Sequence, residues 1–305
     1  MILPPYLQKG DTVALTSTAR FATPEAIDFA IQTLQSWQLR VKVGKFVTAP
    51  DNQFAGSDAD RLNELHRFAA DPEVKAVLFT RGGYGTTRII DDIDWNLLLD
   101  NPKWYCGFSD VTALLCQLEN LGMQSMHSPM AAQFADRNPE RQASLHWFKQ
   151  VLFGEAIHLE ANAHAFNRKG TVDGQLVGGN LSLINNIIGT ASEPVYNGKI
   201  LFLEDLDEYL YHIDRMMVHL KRSGCLEQLG GLVVGQMSDM NDNAIPFGKN
   251  AYEIIVEHLA EYTYPVAFGF PIGHELINYT VKVGAIYKLT VHDKGSQLQE
   301  FTSQA

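Results

Sequence analysis

Cysteine is scarce in this 305-residue chain, which contains only Cys106, Cys116 and Cys225. An odd number of widely spaced cysteines is no disulfide framework, and the chain has no C-x-x-C pair of the kind that binds zinc. Cations are also few, since 24 Lys and Arg face 35 Asp and Glu and give a net charge of −11. Nucleic acids and anionic membranes require clustered cations, so we expect neither as the main partner.

The chain also lacks long apolar runs. No stretch of about 18 apolar residues is present, so the sequence predicts no membrane-spanning helix. The first residues, MILPPYLQKGD, lack the basic stretch and the long apolar region of a signal peptide. We therefore expect a cytoplasmic location. A hydrophobic content of 46% and a charged content of 19% are ordinary for a soluble globular enzyme.

Strand-like and helix-like segments alternate along the first half of the chain. Apolar runs at residues 12–16 and 74–79 are typical of buried strands, and amphipathic patterns follow them. This alternation predicts an α/β fold with a parallel sheet and helices on both faces. We predict an N-terminal domain at residues 1–155, a polar linker at 156–173 and a C-terminal domain at 174–305.

The most informative segment is residues 104–111, WYCGFSDV, in which a strand pattern stops at a serine and a helix pattern follows. A serine at a sharp strand-to-helix turn exposes its hydroxyl beside the positive end of the helix, as in several hydrolases. However, the G-x-S-x-G signature is incomplete, because Val111 replaces its last glycine. Ser109 or Asp110 could instead cap the helix. The segment alone leaves both interpretations open.

A glycine-rich loop, RGGYG at residues 81–85, follows the strand at 74–79. It matches neither a P-loop nor the dinucleotide-binding G-x-G-x-x-G pattern, because Arg88 stands where the last glycine would be. One interpretation is a tight turn that needs glycine for its positive φ angles. The other is that the N–H groups of Gly82 or Gly83 stabilise an oxyanion.

The second half offers acids and a histidine at strand ends. Glu204 lies near the end of a predicted strand, where it could orient a histidine or simply complement a helix dipole. His274 lies in a loop bordered by Gly and Pro, which leaves its side chain able to point into a cleft. Glu208 and His212 have helical spacing, but no further ligand completes a metal site.

Taken together, these segments resemble the LD-carboxypeptidase A family, also described as muramoyltetrapeptide carboxypeptidases, which includes the microcin C self-immunity peptidases. The resemblance covers nearly the whole chain and rests on six short motifs in the family's order. They are LQKGDTVA at residues 7–14, RGGYG at 81–85, GFSD at 107–110, GQLVGGNL at 174–181, LED at 203–205 and GHE at 273–275.

The resemblance implies a Ser–Glu–His triad at Ser109, Glu204 and His274. Ser109 would attack the scissile carbonyl, His274 would transfer the proton and Glu204 would orient the imidazole. The implied oxyanion hole consists of the N–H of Asp110 and an N–H from the turn at 82–83.

The fold that the resemblance implies is a flavodoxin-like or Rossmann-like N-terminal domain followed by a smaller C-terminal α/β domain. The reaction would be hydrolysis of the bond between meso-diaminopimelate and terminal D-alanine in murein tetrapeptides, in peptidoglycan recycling. Arg81 and Arg88 are the candidates for binding the substrate carboxylate. We expect no metal or organic cofactor, and we expect a homodimer.

Two alternatives stay open. An immunity-type hydrolase of peptidyl or aminoacyl nucleotides would need an aromatic platform for the base, for which Trp95 and Trp104 are candidates. A non-catalytic module would hold an anionic ligand on the glycine-rich loop, and its Ser109 would not react with acylating or phosphonylating reagents.

Overall fold

The computed structural model describes residues 1–301, which divide into two compact units. The first unit comprises residues 1–155 together with 279–282, and the second comprises 156–278 and 283–301. Residues 279–282 belong to the first unit although they lie between two segments of the second in the chain, and the sequence pattern does not predict this. None of the helices in the described residues is long and apolar enough to cross a membrane.

The first unit is built around a mostly parallel six-stranded sheet with the order β13-β7-β6-β5-β1-β2. Among residues 1–155 its elements are β1 (Thr12–Thr16), α1 (Pro24–Ser36), β2 (Arg40–Val43), β3 (Pro50–Asp51), β4 (Phe54–Ala55), α2 (Asp58–Ala70), β5 (Val74–Phe79), α3 (Thr86–Ile89), α4 (Trp95–Asp100), β6 (Trp104–Gly107), α5 (Thr112–Asn120), β7 (Ser125–His127) and α6 (Pro139–Leu152); β13 is Val281–Val283. Strands β3 and β4 form a separate two-stranded hairpin.

Local sequence signals set the helix starts in this unit. The Thr23 side chain accepts a hydrogen bond from the Ala26 N–H ahead of Pro24, which starts α1. Ser57 and Asp60 form a reciprocal capping box at the start of α2. Counted along the chain, the five parallel strands β1, β2, β5, β6 and β7 have the order 2-1-3-4-5, which is the flavodoxin-like arrangement. The predicted fold of this domain is therefore confirmed.

The second unit contains a seven-stranded mixed sheet with the order β12-β11-β10-β9-β14-β15-β8. Its elements are β8 (His158–Asn162), β9 (Gly170–Asn180), α7 (Leu181–Ile187), β10 (Ile200–Leu206), α8 (Leu210–Arg222), β11 (Gly231–Ser238), α9 (Ala251–His258), β12 (Val266–Phe268), β14 (Ile286–His292) and β15 (Gly295–Glu300). Neighbouring strands from β9 to β12 are parallel, whereas β14 is antiparallel to both β9 and β15.

The segment that we expected to be a linker, residues 156–173, is partly ordered as sheet. It contains β8, which pairs antiparallel with β15, and the first residues of β9. Its polar composition reflects its place at the sheet edge, where alternate side chains face solvent. In β8, for example, Leu159 is buried, whereas Glu160 is exposed.

Candidate active site

Ser109 occupies a strained turn between β6 and α5. Its backbone φ is +61°, in the left-handed region, which non-glycine residues adopt at a cost of about 1–3 kcal/mol. The residue begins a 3₁₀ turn over Ser109–Val111 that leads into α5. Ser109 is half-buried, while its neighbours Phe108 and Asp110 are buried. We call this strand–serine–helix turn the serine elbow. Strain of this kind is characteristic of functional turns that expose a nucleophile.

Neither of the candidate capping residues caps the helix with its side chain. The residue that precedes α5 is Val111, and no side chain accepts a capping hydrogen bond there. The Asp110 carboxylate instead accepts a 2.8 Å hydrogen bond from the backbone N–H of Thr86, which follows the glycine-rich loop. Burial raises the pKa of Asp110. Asp110 therefore ties the serine elbow to that loop.

The turn at Gly82 lies against the Ser109 hydroxyl. A Cβ atom added at Gly82 would be only 3.3 Å from the Oγ of Ser109. Within residues 1–301, the backbone N–H groups of Gly82, Gly83 and Asp110 donate to no other group. The first unit therefore brings a serine hydroxyl and unoccupied backbone donors together, which is the composition of an oxyanion site.

Three arginines lie beside the glycine-rich loop, in sequence or in space, and they differ in their partners. Arg88 is held by the Asp58 carboxylate, with its Nη2 2.6 Å from Oδ2, and this interaction lowers the pKa of Asp58. Arg81 is exposed, and within residues 1–301 its side chain makes only a 3.3 Å hydrogen bond to the Phe21 carbonyl. The third, Arg20, was not identified from the sequence.

Arg20 lies across the glycine-rich loop. A Cβ atom at Gly83 would be 2.6 Å from the Arg20 Nε, so only glycine, here with φ of +108°, lets the side chain pass. The Nε is buried and has no hydrogen-bond partner, and Arg20 forms no salt bridge within the described part of the chain. Arg20 follows β1, as the loop follows β5, at the point where the strand order of the sheet reverses. Sequence spacing gives no sign of this packing. However, ligands of open α/β sheets bind where the strand order reverses, and that rule could have drawn attention to residues 17–20.

The second unit brings Glu204 and His274 together. The Nδ1 of His274 lies 2.6 Å from the Oε2 of Glu204, and the Glu204 side chain is fully buried. Glu204 is in β10 near its C-terminal end, and His274 is in the loop after β12. A buried carboxylate bonded to Nδ1 fixes the tautomer that leaves Nε2 for proton transfer, and it stabilises the imidazolium. We call these two residues the Glu–His pair.

Close backbone packing places the loop that carries His274. The Gln236 N–H donates to the Ile272 carbonyl at 2.9 Å, and a Cβ atom at Gly235 would be 2.3 Å from that oxygen. A side chain at position 235 would therefore push the loop away from β11. The absence of a side chain at position 235 is what allows His274 to reach Glu204.

Asp205, beside Glu204, has a different role. Its Oδ1 accepts a hydrogen bond from the Asn180 side chain at 2.8 Å, and its Oδ2 accepts one from the Ser182 N–H at 2.9 Å. Burial, together with the charge of Glu204, raises the pKa of Asp205 to about 7. Asp205 therefore anchors the start of α7 to β10, whereas Glu204 bonds the histidine.

Two other candidates from the sequence, the Glu208–His212 pair and Trp104, make contacts within their own units and form no further site among the described residues. The Nδ1 of His212, in α8, lies 2.5 Å from the Oε2 of Glu208, which precedes that helix. No group of three or more metal-ligating side chains occurs in the described residues. Trp104, a candidate platform for a nucleobase, is fully buried, donates to the Pro5 carbonyl at 3.1 Å and stacks on Tyr6. It therefore belongs to the core of the first unit.

The sequence and the fold match one family over both units. Residues 13–128 match the LD-carboxypeptidase N-terminal domain, and residues 173–289 match the LD-carboxypeptidase C-terminal domain. A probable murein peptide carboxypeptidase of Bacillus subtilis is 34% identical over 99% of this chain and 95% of its own length.

Solved structures show the same likeness. The crystal structure of muramoyltetrapeptide carboxypeptidase from Oxalobacter formigenes has a TM-score of 0.87 at 27% identity, over 96% of this chain and 100% of that one. The microcin C7 self immunity protein MccF, in complex with aspartyl sulfamoyl adenosine, has a TM-score of 0.88 at 22% identity, over 99% of both chains, and shares the fold.

The fold and the matches define a hydrolase of the serine carboxypeptidase class. The chain belongs to the LD-carboxypeptidase family, as the resemblance of its six motifs predicted.

Proposed function

We propose that the protein hydrolyses the bond between the L-centre of meso-diaminopimelate and the terminal D-alanine of murein tetrapeptides. The serine elbow carries this proposal, because a strained serine beside unoccupied N–H groups suits acyl transfer. The substrate class comes from the relatives, which are named for murein peptides and muramoyltetrapeptide. No observation specifically favours a nucleotide substrate.

We assign one chemical role to each residue. Ser109 Oγ attacks the carbonyl, and His274 takes its proton and returns it to the amine of the leaving D-alanine. Glu204 holds the imidazole by its Nδ1 and stabilises the cation. The N–H of Asp110 and an N–H of the Gly82–Gly83 turn stabilise the tetrahedral oxyanion. This division of roles requires neither a metal nor an organic cofactor.

The terminal carboxylate of the substrate requires a cation on the side of the leaving group. Arg88 already pairs with Asp58, whereas Arg20 and Arg81 flank the glycine-rich loop without a carboxylate partner among residues 1–301. We assign the main role to Arg20, because its Nε is buried and unpaired beside Gly83. A guanidinium group whose Nε is buried without an acceptor gains a charge-assisted hydrogen bond when a carboxylate binds.

Replacing Arg20 by glutamine should lower kcat/KM for the tetrapeptide by about 10- to 100-fold, because a charge-assisted hydrogen bond contributes about 1.5–3 kcal/mol. The loss should lie mainly in KM. A tetrapeptide ending in D-alanine amide lacks the carboxylate, so wild type and variant should cleave it equally slowly. Steady-state kinetics of both peptides would measure this coupling.

Arg81→Gln and Arg88→Gln are the matched comparisons. Arg88→Gln should leave the preference for the acid over the amide unchanged, since Asp58 already occupies its guanidinium group. If Arg20→Gln keeps the preference for the acid over the amide and Arg88→Gln loses it, then Arg88 is the residue that binds the substrate carboxylate.

The direct test of the proposed reaction compares tetrapeptides that end in D-alanine and in L-alanine. The protein is incubated with L-Ala-D-Glu-meso-diaminopimelate-D-Ala, and the products are followed by mass spectrometry. We expect release of one D-alanine and formation of the tripeptide. The matched peptide ending in L-alanine should remain intact. Cleavage of aminoacyl or peptidyl nucleotides, with the tetrapeptide left intact, would contradict the proposal and favour the nucleotide hydrolase.

The proposal extends to the setting of the reaction. Free murein tetrapeptides arise during turnover of the cell wall, so we place the enzyme in the cytoplasm, in peptidoglycan recycling, as a homodimer. The composition supports this only in a general way, because a net charge of −11 does not suit a nucleic-acid or anionic-membrane partner.

A further inference from the structure

A cavity in the second unit lies at the same edge of the sheet as the Glu–His pair. Its volume is about 430 Å³, within the range of small-molecule sites. Leu210 lines it at the start of α8, which follows β10, and Gln236 and Met237 line it near the end of β11. Glu275, the next residue after His274, completes this side. Ligands of parallel sheets bind at this edge, beyond the carboxyl ends of the strands.

The walls of the cavity combine apolar surface with one acid. Leu210, Met237, Met240 and Tyr252 supply the apolar part. The Tyr252 hydroxyl donates to the Gly235 carbonyl at 2.8 Å, which fixes the ring. Glu275 is the only charged side chain in the lining that the structure describes.

Glu275 is exposed but held at its backbone. Its N–H donates to the Gln236 Oε1 at 3.1 Å, and the Gln236 Nε2 donates to the Ile277 carbonyl at 3.0 Å. The Glu275 carboxylate forms no salt bridge with any residue from 1 to 301. One glutamine therefore both lines the cavity and anchors the loop that carries an uncompensated carboxylate.

This combination is complementary to a methylene chain whose last carbon bears an ammonium group, as in the side chain of meso-diaminopimelate. The carboxylate on that same carbon meets no cation in the described lining and has to face solvent. The methylenes would pack on Met and Leu side chains, which adapt to flexible chains, and the cation would meet Glu275. An anionic chain of the same length would be repelled by the only charge in the lining.

We propose that this cavity is the subsite for the side chain of the diamino acid and that Glu275 binds its distal ammonium group. The inference rests on the proposed function, since it assigns a place to one residue of that substrate. It makes Glu275 a specificity-determining residue that takes no part in proton transfer.

The test compares two tetrapeptides that differ by one amino group. One contains meso-diaminopimelate, and the other contains 2-aminopimelate, which lacks only the distal amine. Wild type should prefer the first by about 10-fold in kcat/KM, mainly through KM. Glu275→Gln should lose this preference, because it loses activity on the first peptide and keeps its activity on the second. Glu227→Gln removes an exposed acid elsewhere in the unit and should behave as wild type.

The outcomes separate the two proposals. If wild type cleaves neither peptide, the proposed function fails and the subsite fails with it. If wild type cleaves both equally, or if Glu275→Gln loses the same factor on both, the reaction stands and the subsite is overturned. Calorimetry on inactive protein excludes indirect effects on His274. The Ser109→Ala protein should bind the diaminopimelate peptide more tightly than the 2-aminopimelate peptide. The Ser109→Ala/Glu275→Gln protein should bind the two peptides with equal affinity.

A second variant tests the apolar wall independently of the charge. Met240→Trp fills the cavity with a larger side chain, so KM should rise for both long side chains. A tetrapeptide with alanine at the third position does not reach the cavity and should be unaffected. An equal rise in KM for all three peptides would overturn the assignment of this cavity.

Discussion

Replacing Ser109 by alanine should reduce the release of D-alanine from murein tetrapeptide by on the order of 10⁴-fold or more, since no other group takes over nucleophilic attack. The oxyanion donors would remain and leave a small residual rate. The left-handed φ of +61° is equally unfavourable for serine and alanine, so stability should change little. Product mass spectrometry and a thermal melt of both proteins would measure these effects.

The control for this variant is Ser36→Ala on the same unit. Ser36 is exposed, and its hydroxyl donates to the Thr33 carbonyl at 2.6 Å in the last turn of α1. That variant should keep full activity. A phosphonylating reagent should label the wild-type protein at Ser109 and leave Ser109→Ala unlabelled. Equal hydrolysis by both proteins would refute the assignment of Ser109, and absence of labelling would favour the binding module.

The serine elbow shows what a single sequence can predict. A strand pattern that stops at Ser109, directly before a helix pattern, located the turn and its exposed hydroxyl. The choice between nucleophile and helix cap depended on backbone conformation, which the local sequence did not determine. Val111 in place of glycine made the usual motif incomplete. The structure adds that φ is positive at Ser109 and that, among the described residues, no side chain caps α5, whereas the nucleophilic role of Ser109 stays a prediction.

The second unit was harder to predict from its sequence. Glu204 and His274 are 70 residues apart in the chain and 2.6 Å apart in the structure, and in the sequence only the family resemblance connects them. Long-range pairs depend on how strands are ordered, and periodicity along the chain carries no information about that order. The same limit explains why the segment 156–173 looked like a linker. Its strand β8 is recognisable only through its partner β15.

The assignment of substrate-binding arginines shows a further limit. The sequence predicts Arg81 and Arg88 for this role because they flank the glycine-rich loop. Arg88 proves to be neutralised by Asp58, which lies 30 residues earlier in the chain. Arg20 reaches the loop from the strand on the other side of the switch point and passes over Gly83. Proximity in sequence therefore did not reveal that Arg88 pairs with Asp58 or that Arg20 passes over the loop, and which arginine binds the substrate stays a prediction.

Replacing Glu204 by glutamine should lower kcat by about 10³- to 10⁴-fold and leave KM nearly unchanged. Glutamine has almost the same shape, so it fills the fully buried site without creating a cavity. Its neutral amide cannot stabilise the imidazolium of His274, and its NH₂ group can turn the imidazole to the wrong tautomer. Steady-state kinetics and the pH profile of kcat would measure the effect.

Glu208→Gln is the matched control for that substitution. Glu208 also bonds the Nδ1 of a histidine, His212, at 2.5 Å in the same unit, so the two changes remove the same kind of contact. A general loss of stability from breaking a carboxylate–imidazole pair would lower activity in both variants. A specific role of Glu204 in proton transfer would lower kcat only in Glu204→Gln. If kcat falls by a similar factor in both variants, the Glu–His pair has only a structural role. The proton acceptor for Ser109 would then have to be another residue.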